Sequence, residues 1–252
     1  MYGIAFYYNI NPQALMTANP TVNPRAMGPG TKLLIPITPG PETTIETIDQ
    51  SPTPTLIFSA LPAPDCYPDA LGGMWCFVLV TNDKAGALEN VTGLIKLQQG
   101  EEIRQEIALT PLNLLPAGKS LPLVAYFQPP ISEEYSISAS VDFFLPVLPE
   151  DARYLPVEIL EQAITIDADG RAASISGKLT FPEGGVNPAY VWISATAFDR
   201  EGHIVAVRRW ENEQAFENSD QLPFEFSIYS HGGPIDSVDL LVEAYREQTT
   251  QE

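Results

Sequence analysis

The strongest constraint on this chain is the short-range alternation that starts near residue 56 and continues almost to the end. Residues 75–80 form a dense apolar run that stops at the turn signal Asn82, Asp83, Lys84. Val91, Gly93, Ile95 and Leu97 then alternate with Asn90, Thr92, Leu94 and Lys96. Gln99 and Gly100 turn the chain, and Ile103, Ile107 and Leu109 continue the alternation with polar residues between them. A second turn at Pro116 and Gly118 leads into Leu121, Leu123, Ala125 and Phe127, and residues 135–144 make a last segment. A period of two residues puts successive side chains on opposite faces of a strand. Strands this short, with turns every eight to twelve residues or so, indicate antiparallel sheets packed as a sandwich.

Much of this happens again downstream. Ile164 and Ile166 lead into Asp167, Asp169 and Gly170, and residues 172–181 return. Residues 190–198 read as a strand, 199–202 as a turn and 204–210 as the returning strand. Gly100 corresponds to Gly202, residues 120–127 correspond to 221–228, and 138–143 resemble 236–240. The offset is about 100 residues, one immunoglobulin-like sandwich in length. The expected fold class is therefore mainly β, with two tandem immunoglobulin-like antiparallel β-sandwiches over 56–148 and 149–247. The order of strand, glycine turn, strand and Leu-Pro-Ala-Gly approach in residues 89–127 resembles immunoglobulin-like domains of bacterial surface proteins, the CARDB and FxLYD types. That resemblance implies an adhesion or spacer role.

The region before these sandwiches has a different character. Residues 38–55 are rich in Pro, Thr and Glu, with Pro39, Pro41, Pro52 and Pro54 and no apolar period. They read as a semi-extended linker, or as a segment lying along the next domain. Residues 1–37 read as helix, helix, strand. Ile4 and Tyr8 share one helical face, and Asn11-Pro12 opens a second helix with an N-cap and a proline at the first helical position. Asn23-Pro24 repeats that start signal, Gly28-Pro29-Gly30 breaks the chain, and residues 32–36 form a short strand closed by Pro36.

This segment resembles the LysM module, a small βααβ domain that binds N-acetylglucosamine-containing glycans. The matching residues are Gly3-Ile4-Ala5, Tyr8, Ile10, Leu15, Ala18-Asn19-Pro20, Asn23-Pro24, Gly30-Thr31, Leu33 and Ile35-Pro36. The family starts with a strand and a Gly-Asp-Thr-type loop, whereas this chain starts inside the first helix, with Met1 where the family usually has Leu. The resemblance implies one wall of a glycan groove over 23–31, with Asn23, Pro24, Met27, Gly28, Gly30 and Thr31 as binding residues. The other wall and an export signal are expected upstream of Met1.

Composition limits the partners. The chain has 252 residues and a formal charge of −19. Phosphate binding needs clustered Lys and Arg, so nucleic acid is not an expected partner. A neutral glycan such as peptidoglycan or a chitin-type oligomer needs no basic patch. No stretch reaches the ~18–20 apolar residues of a membrane span.

Two cysteines, Cys66 and Cys76, flank a segment containing Pro68 and Gly72-Gly73, which lets the chain double back. A disulfide is the favoured reading and would fit an extracellular setting. Two free thiols, or half a zinc site, are the alternatives. Zinc would need two more ligands, and His203 and His231 are distant in sequence. Both histidines read as solvated loop residues. No nucleophile elbow or phosphate loop occurs, and Asp167, Asp169 and Gly170 read as a hairpin turn rather than a calcium loop. Trp75 and Trp192 are expected in a core or between sheets, and the face of Trp210 is undecided.

The expectation is a non-catalytic protein of the cell envelope or extracellular space, with no cofactor and no metal. It would hold glycan through its first module and use the sandwiches as spacers or to engage an envelope protein. The alternative is a structural or adhesive surface protein in which the LysM-like segment no longer binds.

Overall fold

The structure, a computed structural model, describes residues 15, 17–19, 32–35, 61–132, 134–148, 151–181, 188–212 and 221–246. The chain divides into two compact units, Met1–Thr55 and Leu56–Glu252.

In the first unit, residues 15, 17 and 18 are helical and Leu15 is fully buried. Asn19, also buried, donates from Nδ2 to the carbonyl of Leu15 and to that of Leu34, both at 2.8 Å, and its Oδ1 accepts the Leu34 N–H at 2.7 Å. The carboxamide thus bonds both main-chain groups of Leu34 as a neighbouring strand would. Residues 32–35, expected as a strand, form no ladder among the described residues. The remainder of the expected helix-helix-strand module and the 38–55 linker lie outside the described residues.

The second unit is mainly β, and every pairing is antiparallel. Its first half holds β1 (Asp65–Pro68), β2 (Met74–Thr81), β3 (Leu88–Gln99), β4 (Glu102–Leu109), β5 (Leu114–Leu115), β6 (Ser120–Phe127) and β7 (Ser136–Pro146). Its second half holds β8 (Tyr154–Leu155), β9 (Glu158–Ile166), β10 (Ala172–Thr180), β11 (Tyr190–Phe198), β12 (Ile204–Asn212), β13 (Gln221–Tyr229) and β14 (Ser237–Tyr245). The expected boundary at 148/149 falls between β7 and β8.

The pairings repeat between the halves. β1-β2-β6 corresponds to β9-β10-β13, and β4-β3-β7 corresponds to β12-β11-β14. In the first half the two sheets touch at a single ladder pair, Leu109 with Val124, which makes one curled sheet of them. Gly100 and Gly202, which turn the equivalent hairpins β3-β4 and β11-β12, have φ of 61° and 89°, a region where a side chain is strained. These two glycines are the turn anchors read from the sequence.

Each half closes over its own core. Met74, Cys76, Val78 and Val80 of β2 meet Leu121, Leu123, Ala125 and Phe127 of β6 and Val91, Ile95 and Leu97 of β3. In the second half Ile175 and Leu179 of β10 meet Val191, Ile193, Ala195 and Ala197 of β11 and Phe224, Phe226 and Ile228 of β13. Trp210 packs against that second core beside Phe224.

The opposite faces of two sheets then pack on each other. β6 lies against β11, and β2 against β12. Four β-layers result, in the order β4-β3-β7, β1-β2-β6, β12-β11-β14, β9-β10-β13. The apolar run 75–80 serves both of its faces, as a continuously apolar strand buried on two sides must. Ile103, Ile107 and Leu109 continue the alternation, but on the outward face, where they are exposed.

Candidate functional site

The glycan-binding residues expected from the sequence, Asn23, Pro24, Met27, Gly28, Gly30 and Thr31, lie outside the described residues. What is described beside them is the Asn19 tie, which fixes the end of a helical turn to residues 32–35. Asn19 belongs to the Ala18-Asn19-Pro20 match, and Leu34 stands between Leu33 and Ile35 of the last one.

Cys66 and Cys76 form a disulfide across the β1–β2 pair, where they are direct partners in register. It anchors a strand of only four residues to the central layers. The strand carries Asp65 and Tyr67 towards the second half. Asp65 Oδ2 accepts the Ile204 N–H at 2.8 Å. Burial raises the Asp65 carboxyl above its ordinary value, and the Ile204 N–H opposes the shift. Burial, with Asp65 and Asp199 nearby, pushes the Tyr67 hydroxyl up to about 12. A Cβ on Gly232 would sit 2.1 Å from the Tyr67 ring, so this close approach needs glycine.

The junction between the halves holds most of the buried polar chemistry. Glu243 is 1% exposed and lies between them. Its carboxylate accepts the Leu114 N–H at 2.6 Å, the Asn113 Nδ2 at 3.2 Å and the Tyr190 hydroxyl at 3.2 Å. Burial raises its pKa, and those donors pull the other way. Tyr190 stacks between Trp192 (4.3 Å between centroids) and Tyr245 (5.0 Å), and the Arg209 guanidinium lies 4.2 Å from the Trp192 ring. Glu89, on β3, binds the Arg153 guanidinium and the Tyr154 hydroxyl, the latter at 2.8 Å. Asp151 binds the same guanidinium through Nε and Nη2, and Arg153 holds the Asp151 carboxyl below the usual range.

The histidines divide between two roles. His203 is exposed and pairs with Asp199 at 3.1 Å, which raises the imidazole pKa. His231 is an exposed loop residue, as expected, and its ring also lies near Trp75 and Phe77, at 5.9 and 5.7 Å. Partial desolvation there lowers its pKa, although the residue stays exposed. The spacing of a lone histidine in a Gly-rich loop carries no signal for the added aromatic contact.

A cleft of about 370 Å³ opens between the halves beside Lys119, Ser120, Thr196 and Asp239. Ser194 also lines it, 1% exposed, with no hydrogen-bond partner for Oγ among the described residues. Another concavity, at one end of the second sandwich, is lined by Asp167, Asp169, Asp199, Glu201 and Asp236. Among the described residues no cluster of His, Cys, Asp and Glu is arranged to hold a metal ion. No described helix is long and apolar enough to cross a membrane. The buried carboxylates Glu89 and Glu243 join strands of the two halves.

No known protein family matches the chain, and no curated protein matches it in sequence. Among solved structures it is similar to a glycosyl hydrolase family 2 member from Bacteroides cellulosilyticus, at 11% identity and a TM-score of 0.22. It is similar also to a protein from Bacteroides fragilis described as a beta-galactosidase, at 13% identity and a TM-score of 0.20. The matches cover 70% of this chain but only 24% and 33% of those two. At that distance the likeness carries no argument about chemistry.

Proposed function

We propose that this chain is a non-catalytic, glycan-binding protein of the cell envelope. Residues 1–37 would form a LysM-like module for N-acetylglucosamine-containing glycan, peptidoglycan or a chitin-type oligomer. Residues 23–31, with Asn23, Pro24, Met27, Gly28, Gly30 and Thr31, would line the binding wall. Main-chain N–H and C=O groups there match the N-acetyl amide, and Met27 offers an apolar contact to the sugar face. The paired sandwiches, immunoglobulin-like in this reading, serve as carrier and as a surface for an envelope partner.

The observation that carries the reading is the Asn19 tie. The matching residues Leu15 and Asn19 precede the proposed wall, and Asn19 is hydrogen-bonded to Leu34, which lies beyond it between the matching Leu33 and Ile35. The disulfide supports an oxidising compartment, where such bonds persist. The acidic charge suits a neutral ligand better than a phosphate-rich one.

Co-sedimentation with insoluble peptidoglycan tests this. The full chain is expected in the pellet, and a version starting at Thr38 in the supernatant. Equal pelleting of both, or of neither, overturns glycan binding and leaves the structural or adhesive reading. That second reading draws on the four-layer packing, which suits a display scaffold.

A further inference from the structure

The face of β11 that meets the first half carries two buried hydroxyl residues. Ser194 and Thr196 are 1% and 5% exposed, and they alternate with Ile193, Ala195 and Ala197 of the second core. Both side chains therefore point away from that core, to the side where the cleft of about 370 Å³ opens. Ser194 Oγ has no hydrogen-bond partner among the described residues. A buried hydroxyl left unpaired is costly, and the cleft is where a partner can come from.

Main-chain pairing fixes the walls. Ser194 is the ladder partner of Leu241, and Thr196 that of Asp239, so the four residues form one block on the β11-β14 face. The other wall is made by Lys119 and Ser120, where the chain enters β6. Their turn is tied by buried Asn82. Its N–H donates to the Lys119 carbonyl at 2.9 Å, and its carbonyl accepts the Gly118 N–H at 2.9 Å. Its Nδ2 donates to the carbonyls of Gly86 and Leu115. Ser120 Oγ is bonded to Thr81 Oγ1 at 2.8 Å. A ligand thus meets groups already in position, which lowers the ordering cost of binding.

The lining selects the ligand. Among the described residues neither Lys119 nor Asp239 makes an ion pair. The ammonium disfavours a cation and the carboxylate an anion, and the chain's charge of −19 disfavours an anion further. A charged group brought down to Ser194 would lose its hydration and gain one neutral hydroxyl. A sugar hydroxyl meets a much smaller penalty. It can donate to Asp239, accept from Lys119, and do either with Ser120, Ser194 and Thr196. Leu241 offers an apolar surface to the C–H face of a sugar ring, and the volume lies within the ~300–1,000 Å³ of small-ligand sites. We propose that the cleft between the halves binds one neutral sugar unit, with one hydroxyl bonded to Ser194 Oγ and others to Asp239 and Lys119. The site belongs to the second unit and does not rest on glycan binding by residues 1–37.

Amide shifts of the isotope-labelled full chain, titrated with N-acetylglucosamine, glucose and galactose to about 100 mM each, test this. At least one sugar is expected to move the Ser120, Ser194 and Thr196 amides, with a dissociation constant on the order of 1–10 mM. Ser194→Ala is expected to weaken that sugar at least about fivefold. In urea the same variant is expected to keep or gain stability, because it deletes an unpaired hydroxyl rather than a bond. Asp239→Ala is expected to weaken the sugar by a similar factor. Glycine, the zwitterionic control, is expected to move none of these amides. No shift there with any of the three sugars overturns the proposal. So do shifts equally strong in Ser194→Ala and Asp239→Ala, or a response to glycine that matches the sugars. A sugar that moves only residues 17–19 and 32–35 supports the module and overturns the cleft, whereas cleft shifts without those support the cleft alone.

Discussion

Glu243 is a buried carboxylate held by neutral donors alone, the Leu114 N–H, Asn113 and the Tyr190 hydroxyl. A carboxylate in that setting favours its protonated form, and its pKa is raised above the ordinary value of 4.5. The folded state therefore binds the proton more tightly than the unfolded chain. The stabilisation from protonation is fully present below the ordinary carboxylate range and is lost as pH rises through the raised value. Glu243→Gln keeps an acceptor for Leu114 and removes the ionisation. At pH 7 it is expected to match or exceed the native stability. Glu243→Ala instead strands the Leu114 N–H and is expected to cost about 1–3 kcal/mol. Urea unfolding of native and Gln chains at several pH values isolates the group, because their difference removes all other titrations. A difference that does not change between pH 4 and pH 8 would show that Glu243 titrates as it does in the unfolded chain. His231 has the opposite sign. Its lowered pKa means that its contribution is present above the ordinary 6.5 and is lost as pH falls below it.

β1 shows how one short element can depend on one covalent bond. Four residues pair with β2, and the disulfide closes a loop with a sequence separation of 10. Closing a loop of that size stabilises by about 2–3 kcal/mol through the unfolded chain. The C66S/C76S double variant is expected to lose about that much in urea unfolding. Asp65 and Tyr67 flank Cys66 on the same strand, so the amide of Ile204, bonded to Asp65, is also expected to exchange faster. Unchanged exchange at Ile204 would mean that β1 stays docked without its bond. At this scale the sequence was most informative. Alternation and the glycine turns revealed the β3-β4 and β11-β12 hairpins, and the anchors Gly100 and Gly202 marked equivalent positions in a repeated topology. The spacing of Cys66 and Cys76 was compatible with their bond. Which face points inward was less legible. Period two fixes that side chains alternate, not which set is buried, so Ile103, Ile107 and Leu109 gave the same signal as a core row while lying outside. Two-residue strands such as β5 and β8 are too short to carry any period.

The layering of the whole second unit was not legible, because it depends on which faces of separate sheets meet. Residues 75–80 are apolar on both faces, and so fit a strand beside one core or between two. The structure makes the second choice. Phe77, 1% exposed, meets Tyr67 and His231 rather than the first core, and Trp192 and Leu241 of the second half pack against that core. The junction is then tied at several separate places. Asp65 bonds Ile204, Leu114 bonds Glu243, and Arg209 Nη1 donates to the Pro111 carbonyl at 3.1 Å. Opening it would expose aromatic faces and leave Glu243 without its donors from the first half, so neither half can unfold without penalising the other. Leu56–Glu252 is accordingly expected to melt as one cooperative body. Calorimetry should give a single transition for this unit, with equal calorimetric and van't Hoff enthalpies on the order of 130 kcal/mol near 60 °C. Two resolved transitions, each with roughly half that enthalpy, would show that the junction is too weak to couple the sandwiches. Glu243→Ala is the variant that should approach that behaviour first, since it removes one tie between the layers while leaving both cores intact.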